Sequence, residues 1–329
     1  MRKYVTSNTY TLLIFLSILL TLMTVILSAY IRLSINGLGC EDWPECFGHV
    51  GAVSQYEAMA SFTDAIPGKP HGTARIMHRV VASVLGIFVI VILIMAFRLR
   101  KQGGPGVSIP VAVLAITLFL SILGYSTPSP WIPVVTLGNL LGGMLMLALL
   151  WWLWFETVSA RLAPVKNSHA LKPWAIVGIV VVLLQICSGA WVSANYAGPS
   201  CTSLTTCQGN WLPTSGLIEG LSLFRELQVD AMGKIIPDDS MPAIHMLHRL
   251  ISILGAIYLI WFGTRLTSAD SHIQSNGHAI IVLVLIQIGL GIFSILKQLP
   301  LGLVTAHNAV AAMLLLTITG VNHLLFRKT

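Results

Sequence analysis

The chain has 329 residues, of which 55% are hydrophobic and only 9% charged. Soluble domains carry about 25% charged residues, so a chain this apolar cannot cover itself with polar surface and belongs in a bilayer. Its net charge of +7 reads as basic loops on one side of that bilayer. It does not read as a nucleic-acid site, because no basic patch is interleaved with aromatics.

A helix needs about 20 apolar residues to cross the hydrocarbon core. Eight runs approach that length, at 10–32, 73–98, 109–126, 131–155, 172–194, 241–264, 278–297 and 302–325. The first follows Met1-Arg2-Lys3, but it is too long for a signal peptide and lacks a small-residue cleavage site, so it is read as a membrane helix. Arg2 and Lys3 precede the first run, and Arg98, Arg100 and Lys101 follow the second. Arg161, Lys166 and Lys172 separate the fourth from the fifth, Arg265 follows the sixth, and Arg327 and Lys328 close the chain. With eight spans all of these fall on one side, the cytoplasm by the positive-inside rule. The expected fold is an all-α integral membrane protein of eight transmembrane helices, in the cytoplasmic (inner) membrane, with both termini cytoplasmic. Two long segments, 33–72 and 195–240, then face outward.

Those outward segments carry four of the five cysteines. Cys40 and Cys46 form one pair, Cys201 and Cys207 the other. An outward location allows a disulfide within each pair, as a staple of a small loop or as a reducible bond. Zinc is disfavoured, since no third and fourth ligands stand at zinc-like spacing. Cys187 lies inside the fifth run and reads as packing.

The chain repeats itself. Cys40 and Cys46 recur 161 residues later as Cys201 and Cys207, and His78-Arg79 recurs 170 later as His248-Arg249. Val135-Thr136-Leu137-Gly138-Asn139 recurs 169 later as Val304-Thr305-Ala306-His307-Asn308. Ser28-Ala29-Tyr30 stands before Cys40 as Gly189-Ala190-Trp191 stands before Cys201. These matches predict two four-helix halves, 1–160 and 161–329. Each has an even number of spans, so the two share one orientation, a parallel repeat built as packed four-helix bundles.

Of ten histidines, His49, His71, His169, His272, His278 and His323 lie in or beside connections and are read as solvated or interfacial. His78, His245, His248 and His307 lie inside the outward ends of spans, where an ionisable group is costly and marks a candidate site. His248 and His307 enter one half at similar depth. Two facing imidazoles can ligate a haem iron from both sides. A hydrogen-bonded pair across helices is the structural alternative, and copper is disfavoured because no Met or Cys clusters with them. His245 shares a helix face with His248 and would touch a propionate or support the ligand. Arg79 and Arg249 suit propionate pairing or snorkelling to the interface.

The strings Gly37-Leu38-Gly39-Cys40-Glu41-Asp42-Trp43-Pro44-Glu45-Cys46, Met77-His78-Arg79, Ile244-His245-Met246-Leu247-His248-Arg249 and Thr305-Ala306-His307-Asn308, with Asn195-Tyr196-Ala197 ahead of Cys201 and Cys207-Gln208-Gly209, resemble the haem A synthase family from about residue 10 to 325. The resemblance implies eight helices in two related halves and oxidation of the C8 methyl of haem O to a formyl group for cytochrome oxidase. It implies a haem b between His248 and His307 and substrate haem O at His78, with Cys40 and Cys46 assisting by redox exchange. A haem O synthase and an electron donor are the implied partners; a homo-oligomer is left open, and nucleic acid is not expected.

The chain departs from the family twice. The family's glutamate three residues before the first histidine is Arg75 here. The fourth span has no histidine, only Gly138 by the repeat or Asn139 by the following Leu-Leu-Gly-Gly. The resemblance favours an oxidoreductase, whereas these two changes argue against ordinary catalysis. A non-catalytic haem-b-binding paralogue in electron transfer or respiratory oxidase assembly is the alternative. A transporter would also fit a parallel repeat, but no Gly- or Pro-broken pair of spans supports it.

Overall fold

The computed structural model describes residues 7–35, 70–126, 132–158, 165, 168–230 and 234–327. Cys40, Cys46 and His49 lie outside the described residues, so the first cysteine pair stays an expectation. Among the described residues the long helices are α1 (Asn8–Ile35), α2 (Pro70–Arg100), α3 (Ser108–Ser126), α4 (Pro133–Val158), α5 (Ser168–Ala194), α6 (Ser240–Thr267), α7 (Ser271–Leu296) and α8 (Leu301–Phe326). Seven are long and apolar enough to cross a membrane; α3 is a shorter apolar helix. The chain is a multi-pass membrane protein.

Each helix coincides with one of the expected runs, and the ends differ for local reasons. α7 starts seven residues before its apolar run because the Asp270 side chain accepts from the His272 backbone N–H at 2.9 Å, capping a polar first turn that hydropathy alone does not register. α2 stops where Gly103, at φ 81°, lets the Gly104 N–H turn back to the Leu99 carbonyl at 2.8 Å, a left-handed cap that a side chain would strain.

The packing pairs have a simple order. α1 packs on α2 and α4, and α3 packs on both of these. In the same way α5 packs on α6 and α8, and α7 packs on both of these. Thus α2 stands across from α4, and α6 across from α8. The seam between the two sets is made by α1 and α4 against α8 and by α4 against α5.

Small residues and buried amides fix the second set. A Cβ on Gly277 would lie 2.6 Å from the Gly263 carbonyl oxygen, so α6 and α7 cross backbone to backbone. The Gln185 amide donates to the carbonyls of Ile251 (3.1 Å) and Ser252 (3.3 Å) and accepts from the Ser252 hydroxyl at 3.0 Å. Asn322 Nδ2 donates to the Ala175 carbonyl at 2.9 Å. These bonds set the register of α5 against α6 and α8, where apolar packing alone would let the helices slide.

His323 departs from the expectation of a solvated or interfacial side chain. It is 5% exposed, its ring 5.0 Å from that of Trp152 and 5.4 Å from that of Phe155. The tryptophan-rich last turns of α4 cover it, a seam contact that hydropathy along one helix does not reveal. His169, His272 and His278 are exposed as expected.

Candidate functional site

His248 and His307 stand on α6 and α8, which face each other across the second set with α5 and α7 between them. Each is a few turns in from the end that carries the 195–239 segment. The two imidazoles are close enough to interact electrostatically.

The tautomer of His248 follows from its neighbours. Its Nδ1 lies 2.9 Å from the Ser188 hydroxyl oxygen. That hydroxyl donates its own proton to the Gln185 carbonyl at 3.1 Å. With the proton placed there, Ser188 accepts from His248 Nδ1, the tautomer that leaves Nε2 its lone pair. The ring lies against Gly189, where an added Cβ would come within 3.1 Å of Cε1. His307 is placed similarly against α7, beside Gln287 and with its Cε1 3.5 Å from where a Cβ on Gly291 would be. Its Nδ1 is buried and meets no hydrogen-bond partner among the described residues.

The 195–239 segment closes this end of the set. Tyr196 leaves α5 at φ 56°, and the next carbonyl, of Ala197, accepts from His245 Nδ1 at 3.1 Å. Cys201 and Cys207 are joined in a disulfide that packs on Met246. Arg249 reaches over it, Nη1 to the carbonyls of Ser203 (2.7 Å) and Leu204 (3.2 Å), Nη2 to that of Cys201 (3.0 Å). From the α7–α8 turn, Leu299, at φ 58°, rests on Gly198, its Cδ1 3.1 Å from where a Cβ there would be. His245 and Arg249 therefore tie this segment to α6 on either side of His248. Cys187 is a free, half-buried thiol.

The first set is different. His78 is half-buried on α2, with Arg75 one turn earlier on the same side and Arg79 exposed. On α4, Asn139 is exposed. Gly138 faces α3, and a Cβ there would make ordinary contacts, 3.5 Å to Leu123 and 3.9 Å to Phe119. Gly138 is thus the position that turns inward, and it offers no ligand.

The model of the COX15-CtaA family, cytochrome oxidase assembly proteins, matches residues 11–319. The chain belongs to the COX15-CtaA family. A Heme A synthase of Shewanella oneidensis is 31% identical over 320 residues, 95% of this chain and 96% of its own. A Heme A synthase of Rhizorhabdus wittichii is 23% identical over 325 residues, 91% of this chain and 89% of its own. Heme A synthase COX15 of Arabidopsis thaliana is 25% identical over 176 residues, 53% of this chain and 36% of its own.

For a COX15-CtaA chain the donor set at α6 and α8 bears directly on a haem-type group. Among the described residues no three His, Cys, Asp or Glu side chains gather to hold a bare metal ion. Two imidazoles on opposite helices, both lying against glycines, fit a planar macrocycle ligated from two faces. Ser188 and Gly291 were not singled out by the sequence, and Gly189 entered it only as part of the repeat. Their signal is small residues at a helix contact, which ordinary packing produces as well.

Proposed function

We propose that the chain is a haem A synthase-type oxidoreductase, oxidising the C8 methyl of haem O to a formyl group for cytochrome oxidase. The observation that carries this reading is the 2.9 Å contact of His248 Nδ1 with the Ser188 hydroxyl, which in the Nδ1–H tautomer leaves Nε2 its lone pair, with His307 across the set. His248 and His307 would hold a haem b, which would supply one-electron transfer there. Ser188 orients the first ligand, Gly189 and Gly291 leave room for the rings, and Arg249 and His245 hold the 195–239 segment over that end. Haem O would enter the first set beside His78, with Cys40 and Cys46 close by for thiol–disulfide exchange. The eight helices form two parallel-repeat halves, 1–160 and 161–329, with both termini in the cytoplasm and the cysteine loops outside. A haem O synthase upstream and an electron donor complete the partners.

A second reading has its own observation. Gly138 brings no ligand to the first set and Arg75 puts a cation beside His78, which favours a non-catalytic haem-b protein in oxidase assembly or electron transfer. Expression with a supply of haem O, then extraction and chromatography of the haems, separates the two. Haem A or the alcohol on the way to it supports synthesis. One haem b per chain and no product supports the second reading, and a protein purified without any haem sinks both.

A further inference from the structure

Arg32 stands in the last turn of α1. Among the described residues, its Nε and Nη2 are buried and reach no acceptor. A guanidinium enclosed without a counter-charge is strongly unfavourable, so this position calls for an anion.

The repeat shows where the side chain belongs. Aligning Ala29-Tyr30 with Ala190-Trp191 places Ser28 at the position of Gly189 and Arg32 at that of Ser193. Gly189 is the residue on which the His248 ring lies. Ser193, four residues on, shares that helix face one turn nearer the end of the bundle, and its hydroxyl is also buried without a partner. α1 packs on α2 as α5 packs on α6. Arg32 therefore takes, in the first set, the place one turn beyond the level of the ligand histidine, on the helix beside the one that carries His78.

We propose that Arg32 binds a carboxylate of the porphyrin occupying the N-terminal half. This rests on the haem-handling function above. The guanidinium fork matches a carboxylate in two parallel hydrogen bonds, and the carboxylates of a haem lie on one edge of the ring, which would point toward this end of the bundle. An anionic lipid phosphate offers the same chemistry, but the enclosure of Nε and Nη2 and the place of Arg32 beside the His78 helix favour the porphyrin.

The test uses the full chain with its C-terminal haem in place, titrated with ferric protoporphyrin IX and with its dimethyl ester, which lacks the charges. The wild type should take a second equivalent and prefer the acid to the ester. Arg32→Gln should weaken the acid roughly tenfold or more, the scale of a charge-assisted pair, while the ester binds as before and the C-terminal haem spectrum is unchanged. Equal binding of the acid by Arg32→Gln overturns the proposal, and so does an equal loss of acid and ester. Where Arg32→Gln loses the resident haem, Arg32→Lys carries the test: it keeps the charge and loses the fork, so the acid preference should fall several-fold, and an unchanged preference overturns the proposal. Nanodiscs with and without phosphatidylglycerol add a lipid arm. If Arg32→Gln only reduces retained phosphatidylglycerol, the occupant is a lipid and the porphyrin assignment falls. A wild type that takes no second porphyrin overturns the functional reading as well, whereas a second equivalent without acid preference overturns this proposal alone.

Discussion

Ser188 shows how much one hydroxyl can decide. Because it gives its proton to the Gln185 carbonyl, it accepts from His248, and a ligand supported in this way is oriented and made more basic. Ser188→Ala should leave a protein that still binds haem, but roughly tenfold more weakly, with the reduction potential moved to more positive values as the ligand becomes less basic; a potentiometric titration checks this. Gly189 is constrained sterically. An alanine Cβ would press on the His248 ring at 3.1 Å, and the two further methyls of valine leave it no room. Gly189→Val should convert a six-coordinate haem spectrum to a five-coordinate one, and an unchanged spectrum would show that the ring does not ligate from this position. Both His248-Arg249 and His307 could be picked out as intramembrane polar residues. Ser188 and Gly189 could not, because their roles exist only once α5 lies against α6.

At the scale of elements, α6 is the organising helix. Its first turns carry His245, His248 and Arg249, three polar side chains on one end with three partners: the Ala197 carbonyl, the Ser188 hydroxyl and the Cys201–Leu204 loop. The pairing of Arg249 with loop carbonyls was not legible, since backbone acceptors leave no mark in side-chain identity. Arg249→Ala should free the 198–210 loop without breaking its disulfide, seen as faster amide hydrogen exchange there, while exchange in the middle of α6 stays slow. α4 differs from α8 in what it presents. Of the two candidates for its missing ligand, Gly138 turns toward α3 and Asn139 is exposed. Arg75→Glu with Gly138→His should therefore create or raise conversion of haem O, measured by chromatography of extracted haems. Arg75→Glu with Asn139→His should not, because that imidazole would point out of the bundle.

The whole molecule is two sets of four helices with the same packing order, joined along α1, α4, α5 and α8. With eight spans, the positive-inside rule would put both ends of such a bundle on the cytoplasmic side. Reporter fusions at the C-terminus and in the α2–α3 and α6–α7 connections should all read cytoplasmic, and a fusion within 210–225 should read external. A C-terminal fusion that reads external would mean that α3 does not span and that the topology is odd-numbered. That outcome would separate His78 from His248 by a full membrane thickness and end any shared function of the two halves.

Composition determined the class, because 9% charge cannot solvate a folded surface, and helix positions followed because a bilayer admits few alternatives to a continuous apolar helix. The repeat and the histidines at matching depth were written in the order of residues. Tertiary structure decided the rest: that His248 Nδ1 meets Ser188, that His323 is enclosed by α4, that Arg249 holds a loop, and that Arg32 Nε and Nη2 reach no acceptor among the described residues. Each depends on groups brought together from distant helices, and a partner supplied by another helix has no fixed spacing along the chain from which it could be read.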